Sequence, residues 1–390
     1  MSWEWTTGNL LPSIIYTVLL PLVPVVAFLF FALQGSFSPR SLSRTETAKW
    51  LGIVIVIGIF WFMVLLERLI PSSSDTNPPW SFLLINMLLP AWVLVGFWLG
   101  AYPIQIEVFS RKLAMILAIA SLIITIVSYT DLGMFGWNWW PIRLTFLFAY
   151  FWFFYEVIVR EGPGWYGSLF GLFCASSQVI YPLQKPIVYA AVIGTLLLLV
   201  LVIIRRDLIF KRFFRLVGLL SLIIVIFISI NIYTEGSFFG EKIDNIITAW
   251  FHDNPEDFSG VDITDTQSLN RIMGNRIAIW QGVWYRFDES PLVGSGFHQL
   301  TTDSYLAEIH SYFIDIILGV GFLGTLPIAL GLLIWFFGLF GKKRATSPAW
   351  IVPLSAFAIS VIAYGFIGNF AIFYTPSFLV PLAIGMTLRQ

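Results

Sequence analysis

The chain is 390 residues long, 58% hydrophobic and 17% aromatic, and only 11% of it is charged. A soluble domain carries roughly 25% charge, so a water-soluble globule is excluded. Lys plus Arg equals Asp plus Glu at 22 each, which leaves no net charge to draw the chain to nucleic acid.

Apolar runs of about 20 residues, the length that crosses a roughly 30 Å hydrocarbon core, recur along the chain. They fall near 10–33, 50–70, 80–100, 113–130, 143–160, 166–183, 187–204, 216–234, 311–341, 350–369 and 372–388. The sequence therefore predicts an all-α polytopic membrane protein of about 11 transmembrane helices. The first residues, MSWEWTTGNLLPSII, lack the basic n-region and small-residue cleavage site of a signal peptide, so the first run reads as a true span.

Alternate gaps carry the positive charge: Arg40, Arg44 and Lys49; Arg111 and Lys112; Arg160; Arg205, Arg206, Lys211, Arg212 and Arg215; Lys342, Lys343 and Arg344; and Arg389. These are 15 of the 22 basic residues, and the positive-inside rule assigns them to the cytoplasm. The expectation is an N-terminus outside and a C-terminus inside. Tryptophans at the opposite boundaries, Trp80 and the cluster Trp137, Trp139 and Trp140, suit interfacial belts. Glu156 precedes Arg160 by one helical turn, which predicts a local pair. The single cysteine, Cys174, lies in an apolar stretch and reads as a buried small residue.

Between spans 8 and 9 lies a long polar segment, about 235–310, on the outer side. It holds twelve acids and four basic residues, a net charge of −8. The segment is too long for a simple connector and its aromatics argue for order. The chain thus divides into an N-terminal bundle of about eight spans (1–234), the outer segment (235–310) and a C-terminal part of about three spans (311–390).

Chemistry-bearing residues gather on that outer side. The run from Asn275 to Phe287, NRIAIWQGVWYRF, predicts a helix capped by Asn275, with Ile277, Trp280, Trp284 and Phe287 on one apolar face. Arg276 and Trp280 stand one turn apart on it, which leaves a guanidinium fork free near the membrane surface; a snorkelling Arg is the other reading of that spacing. A turn, SPLVGSG, follows from Ser290 to Gly296. His310 then stands at the mouth of a span, with Ser311 beside it and Gly321 and Gly324 beyond, small residues that permit close helix approach. No Asp-x-Asp or His/Asp cluster with metal-ligand spacing occurs in the segment, so no metal and no cofactor is called for.

These residues resemble the O-antigen ligase and O-antigen polymerase superfamily of bacterial surface-polysaccharide enzymes. The ligase signature is His, then Asn, Ser or Gln, nine residues, and Gly-x-x-Gly, after Arg…Trp and a Pro-Leu-x-Gly-x-Gly turn. Here those positions are His310, Ser311, Gly321 and Gly324, with Arg276, Trp280, Pro291, Leu292, Gly294 and Gly296 upstream. The chain departs from the family in two ways. It reads as one N-terminal span short, and the stretch Ser176 to Lys185, SSQVIYPLQK, lacks the family's further outer-side Arg. Lys185 as a point charge, or Arg143 at an outer membrane edge, is the candidate replacement.

The resemblance implies transfer of a glycan from undecaprenyl diphosphate to an acceptor hydroxyl on the periplasmic face of the bacterial inner membrane. The acceptor is a glycolipid core for a ligase, slightly preferred, or a lipid-linked glycan for a polymerase. Arg276 with Arg143 or Lys185 would stabilise the diphosphate leaving group without metal, and His310 would take the acceptor proton. Trp280 and Ser311 would touch substrate, and inversion by direct displacement is the family's course. Two alternatives stand beside it: a lipid-linked-glycan flippase or transporter, or a catalytically silent relative that binds such a glycan. A transporter calls for charge deep in several spans, and runs 10–33, 187–204 and 216–234 have none in their middles.

Overall fold

The computed structural model describes residues 42–69, 80–129, 140–160, 164–180, 185–205, 218, 290–294, 311–341, 347–367 and 374–390. All but Gly218 fall in one compact unit, Met1–Asp207 with Phe287–Gln390; a second, Leu208–Arg286, contributes only that glycine. The spans expected at 10–33 and, but for Gly218, at 216–234, and the helix expected at 275–287, lie outside the described residues.

Among the described residues the regular structure is entirely helical: α1 (Arg44–Leu69), α2 (Trp80–Leu99), α3 (Pro103–Tyr129), α4 (Trp140–Val159), α5 (Gly164–Ile180), α6 (Lys185–Ile204), α7 (Tyr312–Gly338), α8 (Ile351–Ile367) and α9 (Tyr374–Arg389). Each lies on one of the apolar runs. Three stretches, Arg44–Leu66, Pro103–Ile126 and Ile316–Gly338, are long and apolar enough to cross a membrane by length and composition.

Two helix starts fall more than one turn before the hydropathy boundaries. α1 begins at Arg44, because Ser43 and Glu46 form a reciprocal cap: the Ser43 amide donates to Glu46 (2.8 Å) and the Glu46 amide to Ser43 Oγ (3.3 Å). α3 begins at Pro103, a residue suited to the first helical position. Lys49, Arg111 and Lys112, expected in the gaps, are therefore helical. The 27 residues of α3 span about 40 Å, more than the hydrocarbon needs, so its first three turns carry the charges without leaving the helix.

Burial sorts the helices by composition. α4 is apolar all round and is enclosed: Leu144, Leu147, Ala149, Phe151 and Phe153 are at most 1% exposed. α8 shares the centre, with Leu354, Phe357 and Val361 fully buried. By contrast α1, α3 and α7 keep apolar side chains on the outside, including Phe62, Ile116 and Ile334, as a lipid-facing surface requires. With this pattern and these spans the chain is a membrane-embedded helical protein. Cys174 is buried and unpaired in α5.

Glycines set the closest approaches. A Cβ on Gly96 of α2 would strike the Leu382 backbone of α9, and one on Gly385 would strike Val93. The two helices therefore pack backbone to backbone, through small residues, as membrane helices commonly do.

Candidate active site

The motif-bearing helix, α7, starts at a built cap. Ser311 is extended (φ −149°, ψ 118°), its Oγ accepts from the Ile314 amide, and it donates to the Gly365 carbonyl of α8 at 3.3 Å. Ser311 is thus buried and ties the mouth of α7 to the end of α8.

Ten residues further on, the helix is interrupted. Gly321 has φ 59° and ψ −167°, a conformation close to glycine-only backbone space, so the expected single span is two helical pieces. A break inside an apolar helix orphans backbone amides, and the upstream turn supplies their partners. Phe322 N–H donates to the Pro291 carbonyl (3.0 Å) and Leu323 N–H to the Leu292 carbonyl (3.1 Å). The turn closes on itself through Gly294 N–H to Ser290 O at 2.9 Å.

The two glycines of this clasp have no room for a side chain. A Cβ on Gly294, where φ is +84°, would lie 2.6 Å from Leu318 O, Gly319 O and Gly321 N. One on Gly321 would overlap Leu292 O and lie 2.5 Å from Gly294 N. Gly324, by contrast, lets α7 approach α1: its Cβ would stand 3.3 Å from Met63 Cβ. The Pro-Leu-x-Gly turn and Gly321, the first glycine of the Gly-x-x-Gly pair, therefore belong to one backbone joint, with Gly294 and Gly321 27 residues apart in sequence.

The backbone positions of the two candidate cations lie towards Ser311's end of the bundle. α4 and α5 are antiparallel, since Trp165 Nε1 donates to Val157 O and Gly171 packs on Phe153. α6 starts four residues after α5. α6 and α8 are antiparallel, since Arg205 bonds Ser347 O (2.6 Å) while Gly194 faces Ser360. All three cross where Gly194 meets Phe151 and Ser360. From that crossing Arg143 lies about 12 Å along α4, Lys185 about 14 Å along α6 and Gly365, Ser311's partner, about 8 Å along α8, all towards one end. His310, Arg276, Trp280 and Gly296 lie outside the described residues.

One polar group near this end went unread in the sequence. Ser121 and Thr125 of α3 bond Ser177 of α5 at 3.2 and 3.0 Å, and Gln178 Nε2 donates to Thr125 (2.8 Å). Gln178 is 1% exposed and its Oε1 has no partner, as is true of Thr145 Oγ1 on α4. The signal was available: Ser-Ser-Gln in α5 beside Ser and Thr four apart in α3.

The fold and the clasp together define a helical membrane protein whose broken helix is held by an upstream turn. Residues 170–329, about two fifths of the chain, match the family model described as O-antigen ligase. The match spans Lys185, Arg276, the Pro291–Gly296 turn, His310, Ser311, Gly321 and Gly324, and leaves Arg143 outside. Over those residues the chain is similar to the O-antigen ligase family of surface-polysaccharide biosynthesis. No curated protein matches the chain.

Proposed function

We propose that this protein transfers a glycan from undecaprenyl diphosphate to an acceptor hydroxyl on the periplasmic face of the inner membrane, by metal-independent inverting displacement, as a ligase in preference to a polymerase. The observation that carries the reading is the clasp of Pro291–Gly294 on Gly321, which explains why the family's two glycine motifs occur together within the matched residues. His310, next to the cap residue Ser311, is the base for the acceptor hydroxyl. Arg276 meets the diphosphate, whose developing charge a second cation, Arg143 or Lys185, shares. Trp280 and Ser311 contact substrate, while Pro291, Gly294, Gly296, Gly321 and Gly324 form the frame.

The same reading includes about 11 spans, with the outer segment 235–310 between an eight-span and a three-span part. The N-terminus is outside and the C-terminus cytoplasmic. Support comes from the basic connections, which the described helices bring to one end: Lys49 bonds Leu388 O at 2.8 Å, and Arg389 bonds Glu46 at 3.0 Å.

The test is a surface-polysaccharide gel of a deletion strain complemented with wild type or His310→Ala at matched membrane abundance. Wild type restores capped glycan; the variant accumulates full-length chains on the lipid carrier. A single-repeat band in the variant reassigns the protein as a polymerase. Full complementation by His310→Ala removes the base and favours the silent-binding or transport readings.

A further inference from the structure

We propose that the basic end of the bundle binds an anionic phospholipid, with the lipid phosphate held between Arg111 of α3 and Arg160 at the end of α4. The proposal rests on the bundle lying in a bilayer and is independent of the transferase reading.

Glu156 organises the two arginines. Its Oε1 receives Arg111 Nε (3.1 Å) and Trp152 Nε1 (3.2 Å), and its Oε2 receives Arg160 NH1 (3.3 Å) and the Ser168 hydroxyl. The carboxylate is thereby saturated and 14% exposed, whereas the arginine side chains are 39% and 35% exposed. Each guanidinium commits one nitrogen to Glu156 and keeps part of its planar fork exposed, a shape matched to phosphate oxygens. Gly164 leaves the space for this, since a Cβ there would stand 3.1 Å from Arg160 Nε.

Arg389, which also pairs with a carboxylate across helices at this end, is spent. Its side chain is 3% exposed, paired with Glu46 and set over the Phe97 ring at 5.5 Å. Arg111 and Arg160 differ in being half-open, with exposed Lys112 beside the first. Two carboxylates temper the charge: exposed Glu107, one turn before Arg111, and Glu161, which follows Arg160 in sequence. Net charge alone would then hold a free anion poorly. A lipid gains a second term, because exposed apolar stripes lie beside the two arginines: Ile116, Ile119 and Ile123 on α3, in line with Lys112, and Tyr166, Phe170 and Phe173 on α5. These helices run parallel, since Ser121 of α3 bonds Ala175 O of α5 while Thr125, one turn on, bonds Gln178, so both stripes extend from the headgroup level into the acyl region. A basic pocket between membrane helices with acyl-chain surface below it is the pattern that recognises anionic headgroups.

The test uses the purified full-length protein. Native mass spectrometry after mild delipidation compares retained phosphatidylglycerol with phosphatidylcholine, and wild type is expected to prefer the former about tenfold. The triple variant Arg111→Gln/Glu156→Gln/Arg160→Gln removes the forks without leaving a buried carboxylate unpaired, and should reduce the preference to about twofold or less. The pair Arg111→Lys/Arg160→Lys keeps both charges on Glu156, should fold even where the triple does not, and should give an intermediate preference. Equal retention of the two lipids by wild type, or an unchanged preference in the lysine pair, overturns the site. Displacement of the lipid by millimolar inorganic phosphate, with equal protection against thermal unfolding, marks a small-anion site and overturns the lipid assignment.

Discussion

The two ends of the bundle are built by different means. At the basic end, helices are joined by charged side chains: Arg389 reaches Glu46 and the carbonyls of Phe97 and Trp98, and Glu156 gathers two arginines. Toward the opposite end, the matched motifs are joined by main chain: turn carbonyls meet the amides of a broken helix, and Ser311 meets a carbonyl. The basic end commits Arg389 wholly, and Arg111 and Arg160 in part, to joining helices. The backbone clasp needs no charged side chain.

The largest effect should come from filling the clasp. Gly321→Ala places a methyl against Leu292 O and Gly294 N in a backbone conformation that alanine avoids. A loss of about 3–5 kcal/mol is expected. Thermal unfolding in detergent should show a lower Tm, and glycan complementation should fail together with it. A Gly321→Ala protein with wild-type Tm and activity would show that the clasp is not what holds the motifs together, and the contrast between the ends would collapse.

The basic end should respond to charge, with its function spared. Glu46→Leu leaves the buried Arg389 guanidinium without its carboxylate, although hydrogen bonds to Phe97 O and Trp98 O and the ring contacts remain. With Glu46 itself 25% exposed, the expected cost is about 2 kcal/mol. Unfolding should move accordingly, while glycan output per folded molecule stays at the wild-type level. Loss of output at unchanged Tm would place function at the wrong end.

The sequence made the helices legible and left the joints hidden, for a physical reason. Span positions follow from the solvent, so every described helix fell on an apolar run, and the local Glu156–Arg160 pair was readable from a spacing of four. The break at Gly321 was not readable, because the residues from Ile316 to Gly338 are apolar throughout and the cause of the break, the Pro291–Gly294 turn, comes from elsewhere in the chain. Arg389 read as a flanking cytoplasmic charge; its burial depends on Glu46, 343 residues away. Arg111 likewise read as a loop charge, although Glu156 of α4 fixes it within α3. Of the candidate site, the motifs and their order were visible, whereas the pairing of turn with helix break is a long-range property of the fold.

The smallest effect sharpens the comparison most, because it removes a side chain from the end held by main chain. Ser311→Ala deletes one capping bond to Ile314 N–H and one bond to Gly365 O, both near the long limit at 3.5 and 3.3 Å. The Gly365 carbonyl is left with its helix geometry, and a methyl fits the space of a hydroxymethyl, so the cost should be about 1 kcal/mol or less. If Ser311 serves only as a cap, Tm falls slightly and transfer at matched abundance is unchanged. If it also touches substrate, as proposed, transfer falls several-fold more than that change in folded fraction allows, and Ser311→Thr, which keeps the hydroxyl, restores part of it. Equal transfer by wild type, Ser311→Ala and Ser311→Thr would confine Ser311 to the frame, alongside the glycines it precedes.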